Sequence, residues 1–228
     1  MLPAPEDVKT VLSRSALLGG LGARDLSLIA SKAEHLSVAE NQIVFHHGDE
    51  GDALYILVSG ALEVSVISVE GKKLSLNILQ PGEVFGEISA LDGLPRTATI
   101  VAMRGSHLLR VPGSSINRLL ADNPQFAKNL IVVLCSRVRW INQQVEDFFL
   151  LNTESRLANR LLLLHKKFSD DDGILHLSQS ELSEFLGTTR ETVNKTMQSW
   201  RSRNLIELGR GHTRIVRLDV LSAIANPA

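Results

Sequence analysis

Cysteine is almost absent from this chain of 228 residues: Cys135 is its only thiol. That excludes an intramolecular disulfide, a four-cysteine zinc site and an iron–sulfur cluster held by the chain's own thiolates. Long apolar runs are missing too, and none approaches the roughly 20 residues that span a bilayer. Residues 1–10 carry acids and prolines but no basic and apolar leader. Net charge is nearly absent, at −1, so the chain as a whole is no basic nucleic-acid coat. What is present is an ordinary globular balance, 44% hydrophobic and 21% charged, which excludes a disordered chain. The reading is of a soluble, cytoplasmic protein with a core of useful size.

Residues 7–35 read as helical, with Val8, Leu12, Leu18, Leu21, Leu26 and Ile29 at helical spacings interrupted by Gly19 and Gly20. From 36 to 112 the pattern changes. Short apolar segments recur at 42–45, 53–58, 61–69, 74–78, 97–102 and 107–111, punctuated by glycine turns. Such short strands imply an antiparallel sandwich or barrel.

A long helix is expected from Pro124 to Leu151. Ala127, Ile131, Leu134, Val138, Ile141, Val145 and Phe148 alternate spacings of four and three, an a/d seam that argues for a coiled-coil homodimer. Leu130 and Phe149 lie off the seam, so the same helix also has apolar surface to lay on its own domain. Cys135 reads as a buried structural thiol, Trp140 and Trp200 as packing residues, and His46 and His47 as a histidine turn. Asn152 and Thr153 break the pattern and cap a further helix, placing a boundary near 152. Net charge is −3 over 1–152, +2 over 153–228 and +5 over 187–217. The positive charge hidden in the overall balance therefore gathers near the C-terminus.

After a short strand at 174–177, Ser178 to Glu181 reads as a capping box. Its helix carries Leu182, Phe185 and Leu186 and stops at Gly187. Thr188 to Glu191 reads as a second capping box. On the helix it opens, Val193, Met197 and Trp200 form one stripe, with Arg190, Glu191, Asn194 and Lys195 on the other face. Two helices joined by a glycine turn suit a helix-turn-helix. Segments 205–208 and 213–218, joined through Arg210 and His212, read as a two-stranded wing with a basic tip. Arg190 suits guanine, Glu191 suits cytosine N4, and Thr188, Thr189 and Thr192 suit phosphates. Ser178 joins this DNA-binding set at the start of the first helix. The plain alternative is a small helical domain with a solvated basic face.

The stretch from Leu182 through Gly187 to Val193, continuing to Ile206, resembles the DNA-binding signature of the cyclic-AMP receptor protein (catabolite activator)/FNR superfamily. In that family the positions of Arg190, Glu191 and Lys195 read bases; Lys195 stands here where well-known members carry arginine. The stretch from Phe85 to Thr99 likewise resembles that superfamily's phosphate-binding cassette. A cyclic nucleotide needs a guanidinium and hydroxyl donors for its anion and an acceptor for its ribose hydroxyl. The resemblance implies that Glu87 holds the ribose hydroxyl, that Arg96 pairs with the cyclic phosphate, that Thr97 donates to it, and that Gly86, Ile88 and Ser89 supply backbone contacts. The bland alternative is a surface salt bridge between Glu87 and Arg96. Glu83 and Glu87 also form a carboxylate pair of glycosidase kind, but the phosphate reading uses more of the residues. Where the family places a threonine and a serine against the base, this chain has Ile141 and Asn142; Asn142, with Arg137 one turn earlier, is the candidate base contact.

The resemblance covers essentially the whole chain. It implies an α+β protein with an N-terminal antiparallel β-roll, jelly-roll-like and cyclic-nucleotide-binding, with its N-terminal helices over 1–123. A long dimerisation helix and hinge at 124–152 and a winged helix-turn-helix at 153–228 follow. It implies a homodimer through 124–151 that binds palindromic double-stranded DNA, contacts RNA polymerase and answers to cyclic AMP, with cyclic GMP as the alternative effector. A same-family regulator active without nucleotide, or answering another effector, is the rival. No nucleophile, metal cluster or acid–base pair points to an enzyme, and no catalytic cofactor or metal is expected.

Overall fold

The computed structural model describes residues 12–13 and 15–227, and the expected helical stretch before Leu12 lies outside them. Contacts divide the chain into two compact units: one runs to Val66 and resumes over Leu76–Arg139, the other joins Ile67–Ser75 to the chain from Trp140 onward.

In the first unit, Leu12 and Ser13 are helical, residues 16–20 turn, and helix α1 spans Ala23–Lys32. The helix ends earlier than the periodicity indicates, because Glu34–Val38 is strand β1, paired with β6 (Thr99–Pro112). Between them come β2 (Ile43–Phe45), β3 (Ala53–Ile67), β4 (Lys73–Leu79), β5 (Val84–Phe85) and the short helix α2 (Glu87–Asp92). The sheet order is β1-β6-β3-β4, with β2 on β6 and β5 on β3. Its mapped pairings β1–β6, β2–β6, β3–β5 and β3–β6 are all antiparallel.

Two pairs of expected short strands are each one long strand. The 53–58 and 61–69 segments merge into β3, and 97–102 merges with 107–111 into β6. The register between them shifts three times between Leu57 and Leu62. Bulges of this kind bend a strand without ending it, so the glycine punctuation marks a bend, not a chain reversal.

The two-residue period of β3 explains the core. Leu54, Ile56 and Val58 face one buried cluster with Leu12, Leu17, Leu18, Ile29, Val111, Ile116, Leu119, Phe126 and Leu130. Ala53, Tyr55 and Leu57 face another, with Val38, Leu62, Leu79, Phe85, Ile100, Ala102 and Leu108. A strand buried on both faces reads as an unbroken apolar run. Helix α3 (Gly113–Asp122) and the start of α4 (Pro124–Leu150) cover the first face through Ile116, Leu119, Phe126 and Leu130. Most of the a/d seam of α4 stays outside: Ile131, Val138, Ile141, Val145 and Phe148 are 50–61% exposed, while Leu134 is part-buried against the core. Cys135 is exposed as well, against the expectation of a buried thiol. It flanks the seam, whereas the face of α4 packed on this unit's core is that of Phe126 and Leu130.

In the second unit, Asn152 caps α5 (Thr153–Phe168), its Oδ1 accepting from the Ser155 amide at 2.9 Å. Leu157, Leu161 and Leu164 are buried where α5 packs on α6 (Gln179–Leu186) and α8 (Leu218–Ala225), and α7 (Arg190–Ser202) packs on α6. A three-stranded antiparallel sheet orders β7 (Ile174–Leu175), β9 (His212–Ile215) and β8 (Ile206–Gly209). The second wing strand ends at Ile215, short of the expected 218, because Leu218 opens α8, which the sequence reading lacked. Among the described residues no helix is long and apolar enough to cross a membrane.

Candidate functional site

The cassette begins where Phe85, paired with Tyr55 across β5 and β3, hands over to Gly86. Gly86 is the N-cap of α2 at φ 73°, a left-handed conformation that a side chain disfavours. This turn sets Glu87 at the first helical position, facing inward and fully buried. Ser89 is buried, Gly86 and Ile88 are half-buried, and Thr97 is exposed at the end of the cassette. Arg96 returns beside the helix start, only 3% exposed. Its backbone is pinned at both ends: its amide donates to Asp49 O at 2.8 Å and its carbonyl accepts from the Gly48 amide at 2.9 Å.

Glu87 and Arg96 are not a surface salt bridge. Arg137, from α4, donates to Glu87 Oε1 and to the Val84 carbonyl. Arg96 instead donates from Nη1 to Gly86 O at 2.7 Å and from Nη2 to Ala53 O at 2.9 Å. Its guanidinium carbon lies 4.4 Å from the Phe45 ring centroid and 5.6 Å from that of Tyr55. These rings form a cluster with Phe85, Tyr55 stacking on Phe85 at 5.2 Å. Burial draws the Arg96 guanidinium below the usual arginine range, opposed by Tyr55, Asp52 and Glu87. Two buried atoms of the cassette have no hydrogen-bond partner: Glu87 Oε2, an acceptor, and Arg96 Nε, a donor.

Sequence reasoning named Arg137 for the base, and the structure brings it to Glu87. It missed Phe45, Tyr55 and Gly51, which surround Arg96. No local pattern could have marked them, since they lie 41 to 51 residues away and are brought to Arg96 by strands β2 and β3 and the loop between them. Asn142 is exposed on α4 and falls in the second unit. His46 and His47 form a turn tied by their amides to Asp49 Oδ2 and Thr99 Oγ1. Among the described residues no group of three or more metal-ligating side chains assembles.

The second constellation lies on α6 and α7. Ser178 and Glu181 form the expected reciprocal capping box, with Glu181 Oε2 accepting from the Ser178 amide at 2.7 Å. The expected second box is absent. The cap of α7 is Thr189, one residue later, whose hydroxyl accepts from the Thr192 amide at 3.2 Å. That puts a threonine at the third helical position, where a box needs Glu or Gln. Gly187, left-handed at φ 62°, ends α6 and makes the turn.

Val193, Met197 and Trp200 are buried. Arg190, Glu191, Asn194 and Lys195 are exposed on the opposite face with Thr189, while Thr188 and Thr192 are half-buried. The Glu191 carboxyl is held below the usual range, first by its own amide and then by the Thr189 hydroxyl. It is therefore ionised, and an acceptor only, at neutral pH. On the wing, Arg210 is exposed at the turn; His212 is half-buried, its ring 6.2 Å from that of His176.

Residues 35–123 match the cyclic nucleotide-binding domain family, and residues 155–224 match the Crp-like helix-turn-helix domain family. The chain is 28% identical over 203 residues to the CRP-like cAMP-activated global transcriptional regulator of Mycobacterium tuberculosis, a match covering 87% of this chain and 91% of that protein. It is 30% identical over 172 residues to the global nitrogen regulator of Synechococcus elongatus, covering 72% and 78%. Among solved structures, FixK2 from Bradyrhizobium japonicum shares the fold with a TM-score of 0.75 at 19% identity, over 86% of this chain and 98% of that one.

Proposed function

The chain belongs to the CRP/FNR superfamily of transcription regulators, and from that premise we propose that it is a homodimeric regulator of transcription whose grip on palindromic DNA is governed by a cyclic nucleotide bound in the β-roll. The observation that carries this reading is the pair of orphaned atoms in the cassette, Glu87 Oε2 and Arg96 Nε. A buried polar atom without a partner costs about 1–3 kcal/mol, more if charged. A ribose cyclic phosphate, which offers both a hydroxyl and an anion, satisfies both once the site opens to it.

Glu87 then accepts from the ribose hydroxyl, Arg96 and Thr97 donate to the phosphate, and Gly86, Ile88 and Ser89 contribute their backbone. Arg137 shares Glu87 with the ribose. Asn142 addresses the base with donor and acceptor alike. Cyclic AMP is the leading effector and cyclic GMP the alternative. The apolar stripe of α4 supports dimerisation. Two-fold symmetry then sets the two α7 helices about 34 Å apart, on successive major grooves of one DNA face. Arg190, Glu191, Asn194 and Lys195 meet base edges, while Ser178, Thr188, Thr189, Thr192, Arg210 and His212 meet the backbone. Nucleotide acts by favouring the hinge arrangement with that spacing. Contact with RNA polymerase rests on the family resemblance.

Isothermal titration calorimetry of Arg96→Leu tests the cassette. Nucleotide binding is expected to vanish while the fold persists, and undiminished affinity would remove the assignment. One residue favours a second reading within the same family, a regulator active without nucleotide or answering another effector: Ile141 is apolar where the family places a polar side chain. Titration of the intact protein with cyclic AMP and cyclic GMP separates the two.

A further inference from the structure

A ligand can touch only atoms that have accessible surface. Glu87 has none and Arg96 has 3%, so in the arrangement described neither is available to an effector. Both are engaged within the chain, Glu87 by Arg137, and Arg96 by Gly86 O, Ala53 O and the Phe45 ring. We infer that this is a parked state, in which Phe45 and Gly51 act as positioning residues that draw Arg96 against the sheet, and that effector binding requires its release. The inference deepens the nucleotide reading and rests on it.

Gly51 makes the parked pose possible. A Cβ placed there would lie 2.4 Å from Arg96 Nε and 2.5 Å from Cζ. The guanidinium thus occupies the space an alanine methyl would need. Gly51 is not among the glycines at positive φ, so alanine strains no backbone at this position. A Cβ placed at Gly86 would likewise lie 2.6 Å from Arg96 Nη1, but its φ of 73° makes any substitution there a backbone change as well. Gly51 is therefore the position from which Arg96 can be displaced selectively. Phe45 supplies the flat face: a guanidinium over a phenyl ring gains cation–π attraction when desolvated, which leucine of similar bulk does not offer.

Parking lowers apparent affinity by the fraction of molecules that are competent to bind. Excluding the parked pose returns that factor, so Gly51→Ala is expected to tighten cyclic nucleotide binding by about fivefold or more. Phe45→Leu is expected to tighten it in the same direction. Calorimetry of full-length wild type and both variants with cyclic AMP and cyclic GMP reads this, with thermal melts confirming that each folds. Unchanged or weaker binding by Gly51→Ala overturns the inference, since the pose would then be neutral or the binding pose itself.

A wild type that takes neither nucleotide defeats the nucleotide reading instead. The parked state is then judged without ligand, by the Nε–H resonance of Arg96 in 15N spectra, assigned through Arg96→Lys. Slow solvent exchange and a shift in Phe45→Leu support parking. Exchange as fast as that of exposed arginines overturns it.

Discussion

Arg137 and Glu87, fifty residues apart, form an ion pair whose acidic member is wholly buried while the basic member keeps 33% of its side chain exposed. Removing the cation leaves a carboxylate in the core without its counter-charge. Arg137→Ala is expected to lower stability by about 2–3 kcal/mol, below the roughly 3–5 kcal/mol of fully buried pairs because Arg137 is part-exposed. Adding Glu87→Gln should recover much of that loss. Chemical denaturation midpoints check both, and a double variant no more stable than Arg137→Ala would show that the pair is not what stabilises the site.

The exposed stripe of α4 sets the second prediction. Ile141→Glu places a carboxylate in the middle of the proposed dimer seam, next to Val138 and Val145. Sedimentation equilibrium should show a dimer for the wild type and a monomer for the variant. Operator affinity should fall at least about tenfold, because one α7 helix loses its tethered partner. A monomeric wild type would end the dimer proposal.

Arg190 and Arg210 are both exposed cations, yet they are expected to fail differently. Arg190→Ala should relax preference at one guanine per half-site by about 1–3 kcal/mol. Arg210→Ala should weaken all sequences alike and shallow the salt dependence by about one unit of slope. Binding selections and salt titrations separate the two, and an unchanged base preference would take Arg190 out of base reading.

The position of the α7 cap has its own test. Thr189→Ala is expected to cost about 1 kcal/mol. Thr188→Ala, one residue outside the cap, should stay within about 0.5 kcal/mol of wild type. A larger loss in thermal unfolding for Thr188→Ala than for Thr189→Ala would move the cap to Thr188.

Asp170 supplies a pH dependence. Its carboxyl is held below the ordinary aspartate range, first by the Ile174 amide and then by His176. A depressed carboxylate stabilises the fold above its unfolded pKa, and that contribution is lost as pH falls through the folded value. Asp170→Asn should therefore lower the melting temperature at neutral pH and matter progressively less in acid. A pH-independent difference would exclude the linkage.

The β-roll was legible in outline and inexact at its bends. Glycine turns located β2, β4 and the loop before the cassette. The same glycines split β3 and β6 in two, because a bulge and a turn share the local preference for glycine. Strand β1 escaped notice: Glu34, His35 and Leu36 to Val38 lack a clean two-residue alternation, and β6 supplies their pairing. Helix α8 loses its first turn to a strand reading, since Val216, Leu218 and Val220 alternate with Arg217 and Asp219 in the two-residue period of a strand.

The cassette loop, the α4 seam, the helix-turn-helix and the buried stripe of α7 were written in the sequence itself. Each rests on spacings within a few residues, and local sterics and hydrophobic periodicity act at that range. Which groups satisfy Arg96 and Glu87 was decided by tertiary structure alone. Phe45, Ala53 and Tyr55 reach Arg96, and Arg137 reaches Glu87, across 41 to 51 residues of chain. Such partnerships depend on how strands register and where a helix packs, and a buried charge takes whichever donors or acceptors that packing brings within reach.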